Sequence, residues 1–161
     1  MSVAFTREES AETAAEFQLP DRPISPHPNL VTEPGRKALE AALAEAHRAY
    51  EIAQRIEDVN ERRRSSAPAF RELKYFSERL RTAQLVSSQR HDGVLSFGSG
   101  VTFTRNQASP QSYRIVGEDE ADPRQGSISY ASPLARLLMG KMVGDVVRLG
   151  DDEIEILTIE D

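Results

Sequence analysis

Leu39, Leu43, Ala46, Tyr50 and Ala53 recur at spacings of four, three, four and three, and Leu73, Phe76, Leu80 and Ala83 repeat three, four and three. A strand alternates its side chains with period two and cannot keep such a set on one face, whereas a helix can. Each stripe needs an apolar partner, and the stripes lie on either side of a polar interval, Asp58 to Ser66, closed by Pro68. The economical solution is an antiparallel hairpin of two helices, each arm about 20 residues or roughly 30 Å long. Ile56 prolongs the first stripe and Leu85 adjoins the second. Thr32-Glu33-Pro34 reads as the start of the first arm, because a proline in the first helical turn loses no hydrogen bond. Packing between the arms accounts for these residues, and none suggests a cofactor site.

After Ser87-Ser88 the period changes. Val101-Thr102-Phe103-Thr104 and Glu153-Ile154-Glu155-Ile156 alternate as half-buried strands do. Val94, Tyr113, Ile115, Val116, Ile128, Tyr130, Val146, Val147 and Leu149 sit in similar short runs between turn residues. One helix interrupts them, with Ser132 as N-cap, Pro133 in the first position and Gly140 as its stop. The second half is therefore a small α+β domain of about 70 residues, a size at which most apolar residues are committed to stability.

Upstream of the hairpin, Pro20, Pro23, Pro26 and Pro28 fall within nine positions, which forbids a helix and favours extended chain. Three segments follow: a Pro-rich disordered or extended tail over 1–31, a coiled-coil hairpin over 32–88 and the α+β domain over 92–161. Charge also varies along the chain, at −4 for residues 1–33, +4 for 34–91 and −6 for 92–161. A total of −6 argues against a general nucleic-acid binder, which needs clustered Lys and Arg to neutralise phosphate. With no cysteine, disulfides and thiolate metal sites are excluded. The start MSVAFTREES reaches acidic residues before the apolar core of a signal peptide can form, and no run is long enough to span a bilayer, so a cytoplasmic protein is expected.

The run Tyr113-Arg114-Ile115-Val116-Gly117-Glu118-Asp119-Glu120-Ala121-Asp122 closely resembles the C-terminal domain of the GreA/GreB transcript cleavage factors. Ile128-Ser129, Ser132-Pro133-Leu134-Ala135-Arg136, Gly140-Lys141 and Val143-Gly144-Asp145-Val146-Val147 continue the resemblance at the right spacing over residues 94–160. Thr32, Gly35 and Leu39 echo the start of that family's first helix, and Ala83-Gln84 the end of its second. Arg22-Pro23-Ile24-Ser25-Pro26-His27-Pro28-Asn29 resembles a leader found in a subgroup with shortened hairpins. The resemblance implies an FKBP-like C-terminal domain behind an antiparallel coiled coil. It also implies a non-enzymatic factor that binds core RNA polymerase. Its C-terminal domain grips the rim of the secondary channel, and its hairpin enters. Acidic residues at the tip then help hold a Mg²⁺ of the polymerase active site, so the factor has no cofactor of its own and meets RNA only inside the complex. No membrane and no independent specific DNA target is implied.

At the expected tip, Asp58-Val59-Asn60-Glu61 supplies the family's D-x-x-E spacing, which on a helix puts both carboxylates on one face. Two such groups suit Mg²⁺ chemically. Against this, Arg62, Arg63 and Arg64 follow where the family has an asparagine, and guanidinium groups compete for carboxylates. The arms are also about one heptad short, a loss of roughly 10 Å of reach. The tip thus reads either as a Mg²⁺ holder or as a salt-bridged solvated turn, with its arginines alternatively facing RNA phosphates.

By resemblance, Ser132, Pro133 and Arg136 contribute to polymerase docking, although capping and packing already explain the first two. The acidic run 118–122 lacks the ligand spacing of a calcium loop and reads as a solvated acidic turn. His27, His47 and His91 have no metal-ligand spacing. Two other functions stay open: an Rnk-like regulator with a shorter hairpin, or a prolyl isomerase. The latter needs an aromatic proline pocket in a chain without Trp. The leading expectation is a polymerase-binding regulator whose basic tip favours occupying the channel over stimulating cleavage.

Overall fold

The computed structural model describes residues 19–87 and 93–161. Residues 1–18, most of the expected tail, and 88–92, the expected linker with His91, lie outside the described residues. The chain forms two compact units. One holds residues 19–25 and 40–81, the other residues 26–39 and 82–161.

The helical unit is built on α1 (Glu33–Gln54) and α2 (Val59–Thr82), although residues 33–39 of the first and Thr82 of the second belong to the other unit. Tyr50 meets Phe70, ring centroids 5.6 Å apart, and Gln54 Nε2 donates to Ser66 Oγ at 2.9 Å. Stepping four residues toward the end of α1 therefore steps four back along α2, which is the antiparallel register the two stripes required. The seam is made of small residues: Ala46, Ala53, Ser66 and Ala69 are buried, whereas Leu73, Phe76 and Leu80 are half-buried.

The polar interval from Asp58 to Ser66 is not a loop. α2 starts at Val59 and runs through Pro68. Asp58 Oδ1 accepts the Glu61 backbone N–H at 2.7 Å, which caps the helix and lets it begin early. Pro68 deprives the Arg64 carbonyl of its usual helical donor. An exposed position in a helix of 24 residues absorbs that loss. Leu85 is not on the helix either. It lies in a strand and is 46% exposed.

Residues 19–25 are held against the helical unit rather than free. The Arg22 guanidinium lies 3.6 Å from the centroid of the Tyr75 ring and pairs with Glu72 at 2.6 Å, and Asp21 pairs with Lys74.

The second unit carries two sheets. β1 (Leu30–Val31) pairs in parallel with β2 (Gln84–Leu85). The larger sheet comprises β3 (Gly100–Arg105), β4 (Gln111–Val116), β5 (Ser127–Ser129), β6 (Val146–Leu149) and β7 (Asp152–Glu160), in the order β5-β4-β3-β7-β6. Within this sheet β4 and β5 run parallel and the other described pairs antiparallel. The alternation expected from the sequence holds: Val101, Phe103, Ile154 and Ile156 all point into one core with Ile115 and Ile128. The short α3 (Pro133–Leu138) closes that core with Ala135 and Leu138, both at 0% exposure. Helix and antiparallel-rich sheet in one small unit make it the α+β domain that the pattern required.

Candidate functional site

The hairpin tip gathers the residues singled out for metal holding, and each is committed to local structure. Besides capping α2 through its side chain, Asp58 accepts the Arg62 N–H on its carbonyl at 2.8 Å, the first helical bond of α2. Glu61, three residues on, accepts from the Ser65 hydroxyl at 3.2 Å and lies 3.9 Å from the Arg64 guanidinium. The D-x-x-E spacing is thus the spacing of a helix N-cap and its third residue, where a carboxylate also faces the positive end of the helix dipole. Arg62 turns inward and donates to the Ile56 carbonyl at 3.0 Å, closing the turn between the arms. Arg63 and Arg55 are exposed, as are Ile52 and Val59 beside them.

In the second unit, Ser132 Oγ accepts the Ala135 N–H at 3.3 Å and Pro133 fills the first helical position, as the sequence implied. Pro133 and Arg136 are exposed on this helix while Ala135 is fully buried, so both lie on its solvent face. The structure brings these three residues together by helical spacing alone.

A second carboxylate arrangement was not legible beforehand. The Thr32 hydroxyl donates to the Glu120 carboxylate, with oxygens at 2.6 and 2.7 Å, and accepts the Gly35 N–H at 3.0 Å. Thr32 is the N-cap of α1, and Glu120 holds its hydroxyl in the capping orientation. The acidic run is therefore not a solvated turn at this point: Glu120 is half-buried against the start of a helix. Two glycines permit the approach. A Cβ on Gly117 would lie 2.4 Å from the Leu30 carbonyl oxygen, and one on Gly35 would lie 2.4 Å from Glu120 Oε2. Asp122 at the end of the run accepts from the Arg124 N–H at 3.0 Å and starts a single 3-10 turn.

Among the described residues, no group of three or more His, Asp or Glu side chains is placed to hold a metal. Glu78 is held below the usual carboxylate range by its hydrogen bonds with Arg81, whose guanidinium is raised in turn by the same contact. Both are surface groups on α2 without a catalytic setting. No helix among the described residues is long and apolar enough to cross a membrane.

Residues 89–161 match the family model described as transcription elongation factor, GreA/GreB, C-term. The second half of the chain is thus similar to the C-terminal domain of the GreA/GreB factors. Transcription elongation factor GreA of Yersinia pestis is 43% identical over 89 residues, a match covering 51% of this chain and 56% of that protein. Transcription elongation factor GreB of Haemophilus ducreyi is 38% identical over 89 residues, covering 55% of this chain and 51% of that one. The chain thus spans only a little over half the length of the curated relatives it matches. Two solved structures superpose loosely. The GreA factor homolog 1 of Thermus thermophilus is 21% identical, covers 84% of this chain and 100% of that one, and gives a TM-score of 0.39. A GreA/GreB factor from Nitrosomonas europaea is 16% identical, covers 82% and 98%, and gives 0.41. The acidic run, Ser132-Pro133 and Arg136 all lie in the matched GreA/GreB domain.

Proposed function

We propose that this protein is a GreA/GreB-type regulator of transcription elongation that acts on core RNA polymerase without chemistry of its own. In this reading the domain at 92–161 docks on the polymerase through the Ser132, Pro133 and Arg136 face. The hairpin at 32–88 enters the secondary channel, and RNA is met only there. The observation that supports it most is a GreA/GreB C-terminal domain following a two-helix hairpin in one chain. Arms of 22 and 24 residues favour it over an Rnk-like regulator with a shorter hairpin.

We further infer that the hairpin occupies the channel without stimulating cleavage. A carboxylate that helps a polymerase Mg²⁺ must offer it free lone pairs. Here Asp58 is engaged with its own helix, and Glu61 with Ser65 and Arg64. The alternative, in which Asp58 and Glu61 share the polymerase Mg²⁺, sets the metal in competition with those contacts.

Stalled, backtracked elongation complexes test both. Expected is competition with a cleaving Gre factor and no shortening of the transcript by this protein. Transcript shortening that disappears in Asp58→Asn/Glu61→Gln would establish the cleavage reading instead. Failure to bind core polymerase, under conditions where a Gre factor binds, would end the proposal.

A further inference from the structure

The five-stranded sheet ends on β6, the run Val146-Val147-Arg148-Leu149. A sheet edge is an open template for another strand, and proteins usually blunt it with proline, a bulge or an inward-pointing charge. β6 does not: its register with β7 is regular over all four residues, and the side chain of its one charged residue, Arg148, is 80% exposed. Val146 is 53% exposed, and Met142 and Val143, just before the strand, are 52% and 57% exposed. Large apolar side chains left in water at one edge suit burial against a partner.

The hydrogen bonds already made fix what this edge offers. Ile156 N donates to the Asp145 carbonyl at 3.0 Å, and the Ile156 carbonyl accepts from Gly144 N at 2.8 Å. Bonds along an antiparallel pair alternate, so Ile154 and Asp152 bond in the same way to Val147 and Leu149. Val146 and Arg148 therefore turn their N–H and C=O groups away from β7. Among the described residues no further strand lies beyond them. On the exposed face of the sheet, Val146 lies opposite Glu155 and Arg148 opposite Glu153, the latter pair 3.8 Å apart.

We propose that β6 pairs with β6 of a second copy, antiparallel about a two-fold axis at Val147. In that register Val146 of one copy faces Arg148 of the other. These are the residues with open backbone groups, so each pair exchanges both of its hydrogen bonds. A row of the joined sheet then reads Glu155, Val146, Arg148, Glu153, the last two from the second copy. Each guanidinium lies between two carboxylates, one from each copy, and its stem covers Val146. An axis at Arg148 would set arginine against arginine, and one at Val146 would leave Arg148 opposite Gly144, beyond the strand. An edge of four residues buries little, so association is weak and appears at high concentration. None of Ser132, Pro133 and Arg136 lies on β6, and the pairing stands whether or not the protein binds polymerase.

Sedimentation velocity on the full chain, from micromolar to millimolar concentration, should show monomer passing into dimer. Arg148→Glu is an exposed change whose intact fold circular dichroism can check. It should weaken the dimer about tenfold, because like charges then meet in both rows. Glu155→Arg added to the same chain should restore much of that loss. The absence of cysteine lets the register be tested directly. Val147→Cys should close an intermolecular disulfide under a glutathione redox buffer, since a directly opposed pair brings Cβ atoms about 4.5–5.5 Å apart. Glu155→Cys is exposed on the same sheet but three strand spacings, roughly 14 Å, from its copy, and should not close. Monomer at every concentration, a dimer indifferent to Arg148→Glu, or equal cross-linking by the two thiols would each overturn the proposal.

Discussion

The two long helices begin in similar company and by different means. At Val59, Asp58 caps its own helix across three residues of sequence. At Glu33, the cap is Thr32, and the carboxylate that fixes it, Glu120, comes from 88 residues away. The first arrangement is local: it forms whenever the helix forms, and it engages one oxygen of a carboxylate that the family resemblance assigned to metal. The second is tertiary: it exists only when the loop after β4 is seated against β1. A short motif can therefore carry a family's residue types while serving the helix end it sits on. A residue that spacing rules dismiss as solvated can be the one that joins distant parts of the chain.

Substitution of Gly117 breaks the tertiary side of this comparison hardest. Its Cβ would meet a backbone oxygen, Leu30 O at 2.4 Å, which cannot rotate away. Gly117→Ala should cost about 2–3 kcal/mol, at the upper end for overpacking. Thermal or denaturant unfolding of the full chain measures it, and a loss below about 0.5 kcal/mol, typical of a surface change, would mean the loop does not press on β1.

Thr32 and Glu120 come next. Thr32→Val removes the cap and leaves Glu120 without its donor, an expected cost of about 1–2 kcal/mol. The coupling in a Thr32→Val/Glu120→Gln cycle should be about 0.5–1 kcal/mol. Gly35→Ala sharpens the point because the two glycines differ in what they face. A Cβ at Gly35 meets the far end of a flexible side chain, so Glu120 can swing aside. The helix gains about 1 kcal/mol of propensity while losing the Thr32–Glu120 bond, and the net should be near zero. In the Gly35→Ala background Glu120→Gln should then cost nothing further, and a cost equal to that in wild type would show the carboxylate had not moved.

What could be read from the sequence divides along the same line. The hairpin, the alternation of Val101 and Phe103 against Ile154 and Ile156, the Ser132-Pro133 cap and the family blocks all depend on neighbours within a few positions. The missed features do not. β1 and β2 have two residues each, too few to show a period, and pair across more than fifty positions. Arg22 reads as part of a proline-rich tether until Tyr75 and Glu72 are seen beside it. The early start of α2 was legible in principle, because Asp58 and Glu61 have the spacing of a capping pair. It was obscured by Pro68, whose presence in a helix interior argues for a break. At the tip the family pattern and the capping pattern coincide, and spacing alone could not separate them.

The local side of the comparison gives the smaller effects and the finer distinction. Asp58→Ala removes the cap of α2 and should cost about 1 kcal/mol. Asp58→Asn keeps an oxygen for the Glu61 N–H, and asparagine caps about as well as aspartate, so it should lose at most a few tenths of a kcal/mol. Glu61→Gln is smaller still, since its contacts are exposed and such ion pairs are worth roughly 0–1 kcal/mol. These near-neutral changes in stability are what make Asn and Gln useful. They withdraw the charge a metal needs while leaving the helix end intact. If Asp58 serves only its helix, stability should follow the order Asn above Ala, and transcript length in stalled complexes should be indifferent to both. If Asn is as damaging to transcript shortening as Ala while stability is spared, the carboxylate has a duty beyond its own helix.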